Sequence, residues 1–189
     1  MRHYYYFLIE DYPKPFGYIH RSFAAHIETP LWPGGWVIDD QARKVTLYGG
    51  NFEQRSLWVE RPLRRGIYSR KVEELDRWVG ESFPLYGANG EHVLNMDGCG
   101  IDAFGIVNYS VHMIGYVMTV HGRKYWVPRR AKTKMSYPNM LDNTVRGSLA
   151  AGERPIDCIV CECQVEISLD PEYTRAHIVS CVTASYSTT

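Results

Sequence analysis

Two glutamates, Glu162 and Glu166, stand four residues apart in the segment GSLAAGERPIDCIVCECQVEISL at positions 147–169. On a helix, residues i and i+4 lie one turn apart on the same side, so these carboxylates would converge. Val165 is i+3 from Glu162 and shares that side. Paired carboxylates suit a hard divalent cation such as Mg²⁺, which takes oxygen ligands and bridges to substrate phosphates. The same spacing also describes an ordinary solvated helix face. Upstream, Gly147 and Glu153 are separated by five residues.

Two other clusters carry chemical potential. VPRRAKTK gathers Arg129, Arg130, Lys132 and Lys134, cations able to meet a phosphate or simply a solvated strand end. Cys158-x2-Cys161 followed by His177-x3-Cys181 has the spacing of a Cys₃His zinc site. The alternative makes Cys158 and Cys163 small apolar core residues and His177 an ordinary histidine. His112 and His121 flank an apolar strand with no serine or cysteine at a telling position, and both are read as structural.

The elements that would position these residues fall into two regions. Residues 1–100 read as mixed α+β. YYYFLIEDY is strand-like, and GWVIDDQARKVTLYG suggests a hairpin turning near Asp39–Ala42. RKVEELDRWVGESF, at 70–83, spaces Val72, Leu75, Trp78 and Val79 as an amphipathic helix. PLYGANGEHVLNMDGCG is rich in glycine and asparagine and marks a boundary near residue 100. Its glycines lack the helix context of a phosphate loop. Beyond it, AFGIVNYSVHMIGYVMTVHGRKYWVPRR predicts two or three strands, with HGRK at 121–124 as a hairpin turn. AKTKMSYPNMLDNTVRG is a long loop. Pro155 opens a helix with Glu153 and Asp157 at its positive end, and SLDPEY ends it near residue 167. AHIVSCVTASY reads as one more strand.

Composition excludes several classes. Lys+Arg and Asp+Glu both total 21, so net charge gives no argument for nucleic acid or an anionic membrane. The N-terminus lacks the pattern of a signal peptide, and no stretch approaches the roughly 20 apolar residues of a membrane span. Five cysteines, mostly in one cluster, suggest reduced thiols in the cytoplasm rather than a disulfide framework.

The frame Gly147, five residues, Glu153, seven residues, CECQVEISL resembles the Nudix box, G-x5-E-x7-R-E-U-x-E-E-x-G-U. YSVHMIGYV, KYWVPRRAKTKMSYPNMLDNTVRG and GERPIDCIVCEC resemble the thiamine-pyrophosphokinase-related Nudix subgroup, which carries an α+β domain before the Nudix domain. The resemblance implies an α/β fold: an N-terminal α+β domain at 1–100, then a Nudix α/β/α sandwich at 101–189, incomplete at its C-terminus. An exposed sheet edge there would pair with a second copy as a homodimer.

The implied activity is hydrolysis of a diphosphate linked to another moiety, thiamine-diphosphate-like or an oxidised nucleotide, with Mg²⁺ or Mn²⁺. By resemblance Glu162 and Glu166 hold the metal and serve catalysis, the Gly147 carbonyl approaches it, and Glu153 holds the loop–helix geometry. Arg129, Arg130 and Lys132 border the substrate cleft. Cys161 replaces the box arginine, Val165 the first glutamate of its EE pair, and Ser168 its glycine. These departures imply reduced activity. The alternative is a catalytically degenerate Nudix-fold protein that binds a small molecule or partner, or serves different chemistry.

Overall fold

The computed structural model describes residues 3–27, 32, 34–70, 72, 75, 78–133 and 137–185. The described residues form several small sheets and five helices, a mixed α/β chain divided into two compact units. The first comprises residues 1–108 with 150–152, and the second 109–149 with 153–189.

In the first unit, β1 (Tyr4–Ile9), β2 (Gly17–His20), β3 (Trp36–Asp39) and β4 (Lys44–Leu47) form one sheet in the order β2-β1-β4-β3. The β3–β4 pair is the expected hairpin, with Asp39 accepting from the Ala42 amide at 2.8 Å across its turn. β1 runs antiparallel to β2 and parallel to β4, and its alternation sends Phe7 and Ile9 inward. Helix α1 (Arg21–Ile27) follows β2 directly.

Helix α2 (Phe52–Ser69) lies just before the segment that the periodicity selects. Asn51 and Gln54 form a reciprocal capping box with two 3.0 Å hydrogen bonds, and Arg70 ends the helix in the left-handed region at φ 51°. The expected helix at 70–83 is therefore corrected in its described part. Residues 72, 75 and 78–81 are not helical, and Ser82 and Phe83 open strand β5 (Ser82–Tyr86). Its remaining positions, 71, 73, 74, 76 and 77, lie outside the described residues. A buried carboxylate explains the described part. Asp97 accepts from the Val79 amide at 3.0 Å and the Gly80 amide at 2.7 Å, donors that a helix would need.

Strand β6 (His92–Asp97) pairs with β5, and Asp97 also caps α3 (Gly98–Phe104) through the Cys99 amide. Phe104 is fully buried, with ring centroids 5.0–6.1 Å from Phe7, Phe23, Trp32 and Trp36. Such pairs add about 0.5–1.5 kcal/mol beyond burial. Gly17 packs on this helix end, where a Cβ would sit 2.3 Å from the Phe104 carbonyl oxygen.

The second unit contains β7 (Ser110–Met113), β8 (Tyr116–Thr119), β9 (Gly122–Tyr125), β10 (Val145–Ser148), α4 (Pro155–Ile167) and α5 (Pro171–His177). β7 pairs with β10, and β8 with β9, all antiparallel. The β8–β9 turn is Val120–His121, slightly earlier than expected, and Gly122 opens β9 at φ 104°. The strand expected over 176–186 is corrected. Ala176 and His177 belong to α5, and 178–185 form no strand. Asp170 accepts from the Tyr173 amide at 2.8 Å and Pro171 follows it, so the residues that stop one helix start the next. Among the described residues, no helix is long and apolar enough to cross a membrane.

Candidate functional site

Helix α4 spans 155–167, with Pro155 in its first turn, Asp157 nearby and a left-handed Ser168 at its end. It buries Cys158, Ile159, Val160 and Cys163 against Val145, Val111 and Met113. The Cys158 thiol donates to the Ser148 carbonyl oxygen at 3.5 Å, and the Cys163 sulfur lies 3.6 Å from that of Met113. Both cysteines are thus core residues.

Packing brings both glutamates of α4 against successive residues of β10. Glu162 fills the space left by Gly147, where a Cβ would sit 2.4 Å from Glu162 Cγ and 2.8 Å from its Oε1. Glu166 Oε2 accepts from the Arg146 amide at 3.4 Å. Glycine at 147 is explained by the space the glutamate needs. Glu153 also comes close: burial first, then the Glu153 carboxylate, then Glu162 and Cys161, push the Cys158 thiol up to about 12. Gly147, Glu153, Glu162 and Glu166 are therefore gathered along the junction of β10 and α4.

All three divergent positions, Cys161, Val165 and Ser168, face solvent. Val165 is 73% exposed and Cys161 is exposed. The oxygen-only donors of Glu162 and Glu166 fit a hard divalent cation that completes its shell with water and phosphate oxygens. Among the described residues, no group of three or more His, Cys, Asp or Glu side chains is disposed as a metal cluster. The zinc alternative has no support here. Cys158 is buried, Cys161 and Cys181 are exposed, and His177 stacks on Tyr173 at 3.9 Å.

The cations are placed differently from one another. Arg130 is largely buried and pairs with Asp142 at 2.5 Å. Burial raises the Asp142 carboxyl, but Arg130 and the Asn143 amide outweigh it and hold the group below its ordinary value. Arg129 donates to the Asn139 carbonyl oxygen at 2.7 Å, and Lys132 is exposed in a turn. Lys134 lies outside the described residues.

His112 has partners that spacing did not reveal. Its Nε2 lies 2.8 Å from Ser110 Oγ and its Nδ1 2.8 Å from Asn143 Nδ2. Val111 and Met113 pack toward α4, so alternation puts Ser110 and His112 on the opposite face of the strand. An i, i+2 pair on one strand is the signal that could have found this contact.

No family model matches the chain. An uncharacterised protein of Saccharomyces cerevisiae is 24% identical over 187 residues, 96% of this chain and 54% of its own length. Nudix hydrolase 20, chloroplastic, of Arabidopsis thaliana is 41% identical over 182 residues, 86% of this chain and 44% of its own length. Nudix hydrolase 24, chloroplastic, of the same plant is 24% identical over 174 residues, with the same coverage. The chain spans about half the length of the curated relatives it matches. The two Arabidopsis relatives support a Nudix-related family for this chain.

Proposed function

We propose that this chain carries the site of a metal-dependent Nudix-type hydrolase acting on a diphosphate linked to another moiety, with weakened activity. The observation that supports this most is the seating of Glu162 and Glu166 against Gly147 and Arg146. In this reading Glu162 and Glu166 hold Mg²⁺ or Mn²⁺ with the Gly147 carbonyl, and Glu153 steadies the loop before α4. When bound, the cation neutralises diphosphate charge and lowers the pKa of its water. In this reading Arg129 and Lys132 meet a phosphate, while Arg130 keeps the Asp142 loop in place. The substrate class is thiamine-diphosphate-like or an oxidised nucleotide, a reading that rests on resemblance to the subgroup. All five cysteines are unpaired, which suits a reducing compartment such as the cytoplasm.

A second reading is favoured by one observation. Val165 projects into solvent where the box carries a carboxylate, and in this reading the scaffold has traded hydrolysis for binding.

The test is release of phosphate, pyrophosphate or a monophosphate ester with Mg²⁺ or Mn²⁺ over thiamine diphosphate, its oxidised forms, oxidised nucleotides and ADP-ribose. Release lost in Glu162→Gln is the expected result. Silence from folded protein overturns hydrolysis and supports the second reading. Restoring the box with Cys161→Arg and Val165→Glu should raise turnover about 10- to 100-fold, the scale on which ligand-supporting groups act.

A further inference from the structure

The first unit contains a cavity of about 420 Å³ that has no part in the glutamate site. Its walls come from three separate segments: Asp11 and Tyr12 after β1, Arg55 in the first turns of α2, and Asn89 and Glu91 in the β5–β6 turn. That volume is in the range of small-molecule sites.

The wall is ordered by local contacts. Arg55 Nε donates to the Gly49 carbonyl oxygen at 3.0 Å, and its guanidinium lies 5.8 Å from the centroid of the Tyr12 ring. Gly49 in turn donates its amide to Glu10 at 2.8 Å, beside Asp11. Asn89 accepts from the Glu91 amide at 3.2 Å. Gly87 lets the Tyr12 ring lie against this turn, since a Cβ there would meet Tyr12 Cε1 at 3.0 Å. Asp11 holds a left-handed φ of 70°, a conformation that persists outside glycine only where surroundings impose it. Burial, then Glu91, push the Tyr12 phenol up, with Arg55 opposing.

Charge decides what fits. Asp11, Glu91 and Arg55 share one cavity, yet among the described residues none of them is in an ion pair. Two carboxylates against one guanidinium leave a net charge of about −1, which disfavours a phosphate or other simple anion. A ligand that matches all three has one carboxylate for the guanidinium fork and two cationic ends for Asp11 and Glu91. We propose that this cavity binds a dibasic α-amino acid, its carboxylate on Arg55 and its two cationic groups on Asp11 and Glu91.

The test is an NMR titration of the whole chain with L-arginine, L-lysine and, as control, L-glutamate. Saturable shifts of the Tyr12, Arg55 and Asn89 amides are expected with the two basic amino acids, with half-saturation near ~1 mM. The double variant Asp11→Asn, Glu91→Gln should weaken binding at least about tenfold, the loss expected of two charge-assisted contacts. Asparagine tolerates the left-handed conformation, so this variant should keep the wild-type Tm. No saturable shift up to ~20 mM, an equal response to L-glutamate, or unchanged binding by the folded double variant each overturns the proposal.

Discussion

The four-stranded sheet of the first unit and the hairpin β8–β9 of the second make opposite use of similar residues. In the sheet, β1 and β4 turn Phe7, Ile9, Val45 and Leu47 into a core closed by α2 and α3, and all four are essentially inaccessible. In the hairpin, Val117, Met118 and Tyr125 are exposed, Val120 is 96% exposed, and Trp126 and Val127 continue the same run. Strand propensity is satisfied in both places. Among the described residues only the first has an opposing layer, and a two-stranded hairpin without one is marginal. The second unit's buried cluster is Val145, Ile159, Val160 and Cys163. The candidate chemistry therefore sits on the more thinly packed unit, where one helix, α4, supplies both the core and the carboxylates.

The strongest way to break this comparison is to remove a core side chain from each unit. Phe104→Ala should cost about 3–5 kcal/mol, because four aromatic rings lose their shared partner. Ile159→Ala, in the thinner core, should cost about 2 kcal/mol, the low end for such truncations. Denaturant midpoints of the two variants measure this, and equal losses would erase the contrast.

Gly147→Ala sharpens it from the side of the site. The new methyl must displace Glu162, which can swing away because it is a flexible side chain. Metal-dependent turnover should fall about 10- to 100-fold while the midpoint barely moves. By contrast, Gly17→Ala in the first unit meets backbone oxygen and should lower the midpoint outright.

A smaller effect lies at the end of α4. Ser168 holds φ 57°, where a side chain is strained and glycine is not. Ser168→Gly should stabilise the second unit by about 1 kcal/mol, read from its denaturant midpoint.

A further test is a pH response. The Cys158 thiol is raised from 9.0 to about 12, first by burial, so the folded state prefers it neutral. Its contribution to stability is intact below 9.0 and declines as pH climbs from there toward about 12, because only the unfolded thiol ionises freely. Cys158→Ser should flatten that part of the stability curve. In thiol labelling near neutral pH, exposed Cys161 and Cys181 should react before Cys158, Cys163 and Cys99.

Much of α4 was legible because its signals are local. Proline at the start, an acidic first turn and a stop at SLDPEY give 155–167 from the chain alone. The hairpin at Trp36–Leu47 was legible for the same reason. Helix α2 was not read, although Asn51 and Gln54 spell its capping box. The periodicity at 70–83 is the stronger local signal, but Asp97, some seventeen residues away, takes the Val79 and Gly80 amides. The segment after α4 misled in a similar way. Its apolar residues suit a strand, but Asp170 and Pro171 form a helix start two turns earlier.

The sequence by itself determined the spacing of Gly147, Glu153, Glu162 and Glu166, because helical periodicity is a property of neighbours along the chain. Tertiary structure decided what that spacing faces. The β10–α4 packing sets Glu162 into the space at Gly147 and points Val165 outward, while backbone pairing of Arg129 with Leu141 brings Arg130 to Asp142. It also decided that Asp11, Arg55 and Glu91 share a cavity, since contacts across so many residues depend on how sheets and helices close upon one another.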